Sequence, residues 1–271
     1  MPNILVWRCA ARPKYYATQM SMTHPRLATD GHVARIVLDR PERHNALGAE
    51  DLESFRAQLA AVEADESIRV LIVTGSGDTF CSGASLDQIE SGEMSGRLFE
   101  TLTEDLASVR VPTICALNGS VYGGGTEIAL CCDFRIGVVG SRLSVPAARL
   151  GICYPASGLK RYVDSLGPGV TRRVMLAGEE LNGDEMLRSG FLNRLVAPAD
   201  LPAATHELAS RLASLAPLAV QAMKRILRAL STAALDAAET RELVARCEGS
   251  EDLKEGLRAR REGRGAEFRG R

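Results

Sequence analysis

Apolar and polar positions change period several times along the chain, and each change predicts an element. Residues 32–39 alternate with Val33, Ile36, Val37 and Leu38, which predicts a strand that Arg40-Pro41 ends. Over residues 49–65, Leu52, Phe55, Leu59 and Val62 share one helical face. The continuous apolar run at residues 70–73 closes on Gly75-Ser76-Gly77, as a fully buried strand does. A helix at 97–109, a buried strand at 113–117, a glycine-opened helix at 123–131 and a strand at 133–139 follow. Strand–helix alternation of this kind predicts α/β layering with crossover connections. After about Pro198 the strand signal fades. Residues 200–262 carry helical stripes such as Val220, Met223, Ile226, Leu227 and Leu230, with Pro217 at a first-turn position.

The expected organisation is therefore a core over residues 28–199 and a helical region over 200–271. Residues 1–27 are expected to be a poorly ordered extension: they carry Trp7, Tyr15 and Tyr16 but no hydrophobic period and no signal-type apolar stretch.

Composition narrows the class. The chain has 271 residues, 45% hydrophobic and 25% charged, which is ordinary globular material. A net charge of −1 gives no global attraction to nucleic acid, and no apolar run reaches the roughly 20 residues that span a bilayer. Seven cysteines occur without a C-x-x-C pair, so they read as reduced thiols of a cytoplasmic protein, with neither a disulfide frame nor a metal site expected.

Two glycine-bearing turns carry the candidate chemistry, each after a buried strand. The first is Phe80-Cys81-Ser82-Gly83-Ala84-Ser85-Leu86-Asp87. The second is Asn118-Gly119-Ser120-Val121-Tyr122-Gly123-Gly124-Gly125-Thr126-Glu127. Glycine lets backbone N–H groups approach a ligand, and at a helix start those groups are unpaired and electropositive. Two such donors meeting at one oxygen form an oxyanion hole; close helix packing explains a triple glycine equally well. Other glycine-loop chemistries are excluded by missing residues. Phe80 stands where a dinucleotide loop needs its third glycine, and no G-x-x-x-x-G-K-[S/T], G-x-S-x-G or H-E-x-x-H is present.

Taken together the segments resemble the crotonase (enoyl-CoA hydratase/isomerase) superfamily. Arg40-Pro41-Glu42-Arg43-His44-Asn45-Ala46-Leu47 is similar to its first signature, Phe80 to Asp87 to its first oxyanion turn, and Gly123 to Asp133 to its second. The stretch at 143–158 resembles the active-site segment that follows. Glu251 to Gly256, with the closing Phe268-Arg269-Gly270-Arg271, resembles its C-terminal ending. The resemblance implies a crotonase-type α/β spiral of ββα turns with a C-terminal helical trimerisation region, assembled as a homotrimer or hexamer. It implies an acyl-CoA thioester substrate whose carbonyl oxygen is held by the N–H groups of Ala84 and Gly124. Ala46, Ala84, Ser85, Leu86 and Asp87 would line the CoA channel. No separate cofactor is expected, because CoA is part of the substrate.

Hydratases of this family grip a water between two glutamates. The first maps onto Glu127; the second would follow Pro146, where this chain has Ala147, which cannot hold or move a proton. The resemblance thus implies Glu127 as main acid/base. Decarboxylating relatives share a tyrosine at Tyr154, where it would meet the acyl group, but carry a histidine at the position of Ala84. A decarboxylase or other lyase, and a non-catalytic acyl-CoA binder, remain as alternatives. Asp87 and Glu90 are expected at the CoA channel or in solvent, and Arg149 is expected to pair with a surface acid.

Overall fold

The computed structural model describes residues 24–271, so most of the expected extension, residues 1–23, lies outside the described residues. The chain opens with β1 (Arg26–Asp30) and β2 (Val33–Leu38), paired antiparallel, and α1 (Ala49–Ala64). Three turns of a β–β–helix pattern then follow. They are β3 (Val70–Gly75) and β4 (Thr79–Cys81) with α2 (Leu86–Ser91) and α3 (Gly96–Ser108); β5 (Thr113–Leu117) and β6 (Ser120–Tyr122) with α4 (Gly124–Cys131); and β7 (Phe134–Val138) and β8 (Arg142–Ser144) with α5 (Ala156–Met175). Each turn gives its first strand to one sheet, ordered β1-β2-β3-β5-β7-β10, and its second to another, ordered β4-β6-β8-β9. The remaining elements are β9 (Leu181–Asn182), α6 (Gly183–Arg188), β10 (Arg194–Val196) and the helices α7 (Leu201–Ala213), α8 (Pro217–Ser231), α9 (Ala237–Glu248) and α10 (Glu251–Glu262).

Because strand side chains alternate between faces, β3 serves two cores. Leu71 and Val73 join Phe55, Leu59, Leu102 and Leu106 beneath α1 and α3. Val70 and Ile72 join Ile114, Ile136 and the α7 residues Leu201, Ala204 and Leu212 on the opposite face. α7 thus seals the large sheet, whereas α8 to α10 leave Met223, Leu227, Leu230, Val244, Leu253 and Leu257 exposed. Among the described residues no helix is long and apolar enough to cross a membrane.

The parallel pairing of the small sheet positions the site. β4 lies beside β6 (Thr79↔Ser120) and β6 beside β8 (Val121↔Leu143), all running the same way. The segments leaving their C-terminal ends, at Gly83, Gly124 and Ala147, therefore emerge in one row.

Candidate active site

Why the first two turns come so close is written in their glycines. Gly83 has φ 88°, in the left-handed region, and a Cβ built there would lie 2.5 Å from the Gly124 nitrogen. Gly123, at φ 48°, swings the chain from β6 into α4. The first turn is then fastened from the other side. Leu47 N–H donates to Gly83 O (2.8 Å) and Ser85 N–H to Leu47 O (2.8 Å), a short parallel bridge that leaves the intervening Ala84 N–H unused. Gly124 N–H, in the first turn of α4, likewise donates to no group among the described residues. Ala84 and Gly124 are both half-buried, so neither turn is fully sealed from solvent.

Asn45, itself buried, holds the neck of the turn: its Nδ2 donates to Thr79 O (2.8 Å), Phe80 O (3.1 Å) and Ser76 O (3.0 Å). Ala46 sits half-buried between Asn45 and the bridge, Ser85 immediately precedes α2, and Leu86 and Asp87 are exposed. Asp87 approaches Arg43 at 3.9 Å, a solvent-screened pair, and Glu90 is exposed one turn further on.

Glu127 lies one turn into α4 and is 2% exposed. Its Oε1 accepts from Arg161 Nη1 on α5 at 2.7 Å and from Thr103 Oγ1 on α3 at 3.3 Å. Arg161 also pairs with Glu104, whose other oxygen takes a bond from Arg228 of α8 at 3.2 Å. Burial raises the Glu127 pKa above its ordinary value, against the opposing pull of Arg161 and Thr103, and the nearby Glu100 adds to the rise. Burial thus makes this carboxyl hold its proton more readily than a free glutamate does.

Ala147 is buried after β8 and carries only a methyl group. Tyr154 is half-buried, edge-on to Tyr162 with ring centroids 6.0 Å apart, and burial together with the Glu127 charge pushes its hydroxyl pKa up. Arg149 corrects its expectation: it is exposed and pairs with no acid among the described residues, its Nη2 donating instead to Gly178 O at 3.1 Å, at a turn where Gly178 takes φ 62°. Sequence reading missed Arg161, Thr103 and Glu100. All three approach Glu127 through tertiary packing of α3 and α5, and α5 is hidden in the sequence by Gly167-Pro168, where it kinks. Among the described residues no group of three or more His, Cys, Asp or Glu side chains is arranged to hold a metal ion.

The same fold is found in solved enoyl-CoA hydratase structures, and the sequence matches their family. The enoyl-CoA hydratase/isomerase family matches residues 28–271, so the chain belongs to this family, within the crotonase superfamily, and is an acyl-CoA enzyme of that type. It is 35% identical over 257 residues to the carnitinyl-CoA dehydratase of Proteus mirabilis, covering 90% of this chain and 98% of that one. It is 32% identical over 250 residues to the crotonyl-CoA hydratase of Syntrophomonas wolfei, covering 89% and 96%. Among solved structures, DspI of Pseudomonas aeruginosa superposes with a TM-score of 0.85 at 28% identity (93% of this chain, 100% of that one). The enoyl-CoA hydratase of Bacillus anthracis gives 0.83 at 27% (92% and 100%).

Proposed function

We propose that this enzyme binds an acyl-CoA thioester with its carbonyl oxygen between the N–H groups of Ala84 and Gly124, and that Glu127 moves protons at the α-carbon of the polarised chain. The observation that carries the reading is the close approach of the two turns, which leaves both N–H groups unpaired, with a buried, ionisable Glu127 beginning three residues beyond Gly124. As the α-carbon loses or gains a proton, negative charge gathers on the thioester oxygen; each preorganised donor there is worth about 3–4 kcal/mol. Ala46, Ser85, Leu86 and Asp87 line the CoA channel. The reaction needs no separate cofactor.

One carboxylate suffices for isomerisation of a 3-enoyl thioester. Glu127 takes a C2 proton, the electron pair shifts through the enolate, and the same proton returns at C4. The similarity to a crotonyl-CoA hydratase and a carnitinyl-CoA dehydratase supports addition or loss of water on the same enolate. A second reading, decarboxylation, is favoured by Tyr154, packed beside Tyr162 within the influence of the Glu127 charge; there C2–CO2 cleavage would supply the enolate pair. The exposed apolar rows on α8 to α10 support assembly through the C-terminal helices into a trimer or hexamer. The buried free thiols Cys81, Cys115, Cys131 and Cys132 support a reducing, cytoplasmic setting.

The test is one screen of the purified enzyme against crotonyl-CoA, a 3-enoyl-CoA and methylmalonyl-CoA, with mass detection of products and Glu127→Gln alongside. Turnover of crotonyl-CoA or the 3-enoyl-CoA that Glu127→Gln loses supports the main reading. Turnover of methylmalonyl-CoA alone selects decarboxylation, and binding without any turnover rejects catalysis.

A further inference from the structure

Ala147 leaves the water of a hydration without its usual second carboxylate, but a different carboxylate stands close by. Glu100, half-buried on α3, accepts a hydrogen bond from Ser157 Oγ at 2.5 Å. Ser157 lies in the first turn of α5, and its neighbour Gly158 is a residue against which Glu127 packs: a Cβ built on Gly158 would lie 3.0 Å from Glu127 Oε1. Thr103, one helical turn after Glu100, links the two. Its hydroxyl lies 3.0 Å from the Glu100 backbone oxygen and 3.3 Å from Glu127 Oε1. Glu100 and Glu127 therefore converge on one end of α5 from two different helices. Gly158 matters here, because any side chain at that position would push into the Glu127 carboxylate.

The remaining carboxylate of the neighbourhood is already committed. Glu104 points one turn further along α3 and uses both oxygens on arginines, Arg161 and Arg228. Glu100, by contrast, forms no ion pair among the described residues; its one side-chain partner is a serine hydroxyl, which leaves lone pairs for a water.

We propose that Glu100 is the second proton-transfer carboxylate of this site, replacing from α3 the group that Ala147 lacks. The proposal rests on the reading of Glu127 and the two backbone donors given above. In hydration, Glu100 takes one proton from water as the water oxygen forms its bond to C3. The C2=C3 electron pair moves to the thioester oxygen, and the enolate then collapses by taking a proton at C2 from Glu127. Water has been added across the double bond, one proton has passed from Glu127 to C2, and one has passed to Glu100. Exchange with solvent resets both carboxyl groups. Isomerisation and α-proton exchange use Glu127 alone.

This division of labour is tested by measuring crotonyl-CoA hydration and α-proton exchange of butyryl-CoA in D2O with the same preparations. The isosteric Glu100→Gln keeps the Ser157 contact and is checked for fold by circular dichroism. It is expected to lower the kcat of hydration about 10²- to 10⁴-fold, and at least tenfold more than it lowers exchange. Adding Ala147→Glu to Glu100→Gln returns a carboxylate at the position the family resemblance implies and is expected to recover part of the lost hydration. Glu100→Asp, which keeps the acid, retains more hydration than Glu100→Gln. If Glu100→Gln raises KM and leaves kcat unchanged, Glu100 only binds the acyl chain and the proposal fails. It also fails if wild type exchanges the α-proton but does not hydrate crotonyl-CoA. A wild type that does neither overturns the underlying reading instead.

Discussion

Replacing Arg161 by methionine removes the only cation bonded to Glu127 among the described residues while keeping a long apolar side chain on α5. The pair is 2.7 Å apart and the carboxylate is 2% exposed, so little water screens it. An opposite charge at such range favours the ionised form by about 1.4–4 kcal/mol. Arg161 also serves Glu104, which divides its influence, and this places the expected effect in the lower half, about 1.4–2.7 kcal/mol, or 10- to 100-fold in the ionisation equilibrium. Burial and the charge of Glu100 both push the same carboxyl upward and remain in the variant. Glu127 must be ionised to take an α-proton, so the acidic limb of the exchange rate moves to higher pH. Below that limb the variant is about 10- to 100-fold slower than wild type, while the alkaline plateaus stay closer together. Arg161→Lys, which keeps the charge, is expected to move the limb much less. The assay is deuterium incorporation into butyryl-CoA from pH 5 to 9, with circular dichroism to confirm folding. An Arg161→Met variant that folds and keeps the wild-type limb would refute the electrostatic account of Glu127.

Other consequences follow from the same geometry. Since Glu127 has its pKa raised in the fold, its carboxyl favours the folded state fully below the ordinary value of 4.5, and that contribution is lost as pH rises through the raised value. Thermal melts should therefore show wild type losing ground against Glu127→Gln between acid and neutral pH; a difference independent of pH would contradict this. Gly83→Ala places a methyl 2.5 Å from the Gly124 nitrogen at a left-handed φ, and is expected to cost about 1–3 kcal/mol of stability, read from urea unfolding, along with most turnover. Light scattering at micromolar concentration should give a trimer or hexamer, and Leu227→Glu, at a residue 66% exposed in the single chain, should shift it toward monomer; a wild-type monomer would remove the proposed role of the C-terminal helices.

The elements whose period is long or unbroken were legible from the sequence. The stripe of α1, the apolar runs of β3 and β5 and the glycine opening of α4 all lie where the patterning predicts. The small sheet was not legible, because β4, β6 and β8 have three residues each, too few for alternation to register. β1 also escaped: it runs from half-buried at Arg26 and Leu27 to exposed at Ala28, Thr29 and Asp30, and its pairing with β2 is what defines it. α5 carries Gly158, Gly167, Pro168 and Gly169, which read locally as loop, although tertiary packing holds the segment helical on both sides of the Gly167 kink. In the candidate site, the two glycine turns stood out because backbone chemistry leaves a mark on local sequence, whereas Glu127 was singled out by the resemblance to the family's first glutamate. Arg161, Thr103 and Glu100 left no such mark. They are ordinary polar residues of amphipathic helices until the fold turns them toward one carboxylate.

In the proposed mechanism two backbone donors hold a thioester enolate while Glu127 moves its proton. Deuterium exchange at the α-carbon of butyryl-CoA tests it without reference to the final product. Wild type is predicted to incorporate deuterium at C2, and Glu127→Gln to do so about 10²- to 10⁴-fold more slowly at unchanged butyryl-CoA affinity by calorimetry. Exchange by Glu127→Gln at the wild-type rate, or a wild type that binds butyryl-CoA and exchanges nothing, would contradict the account.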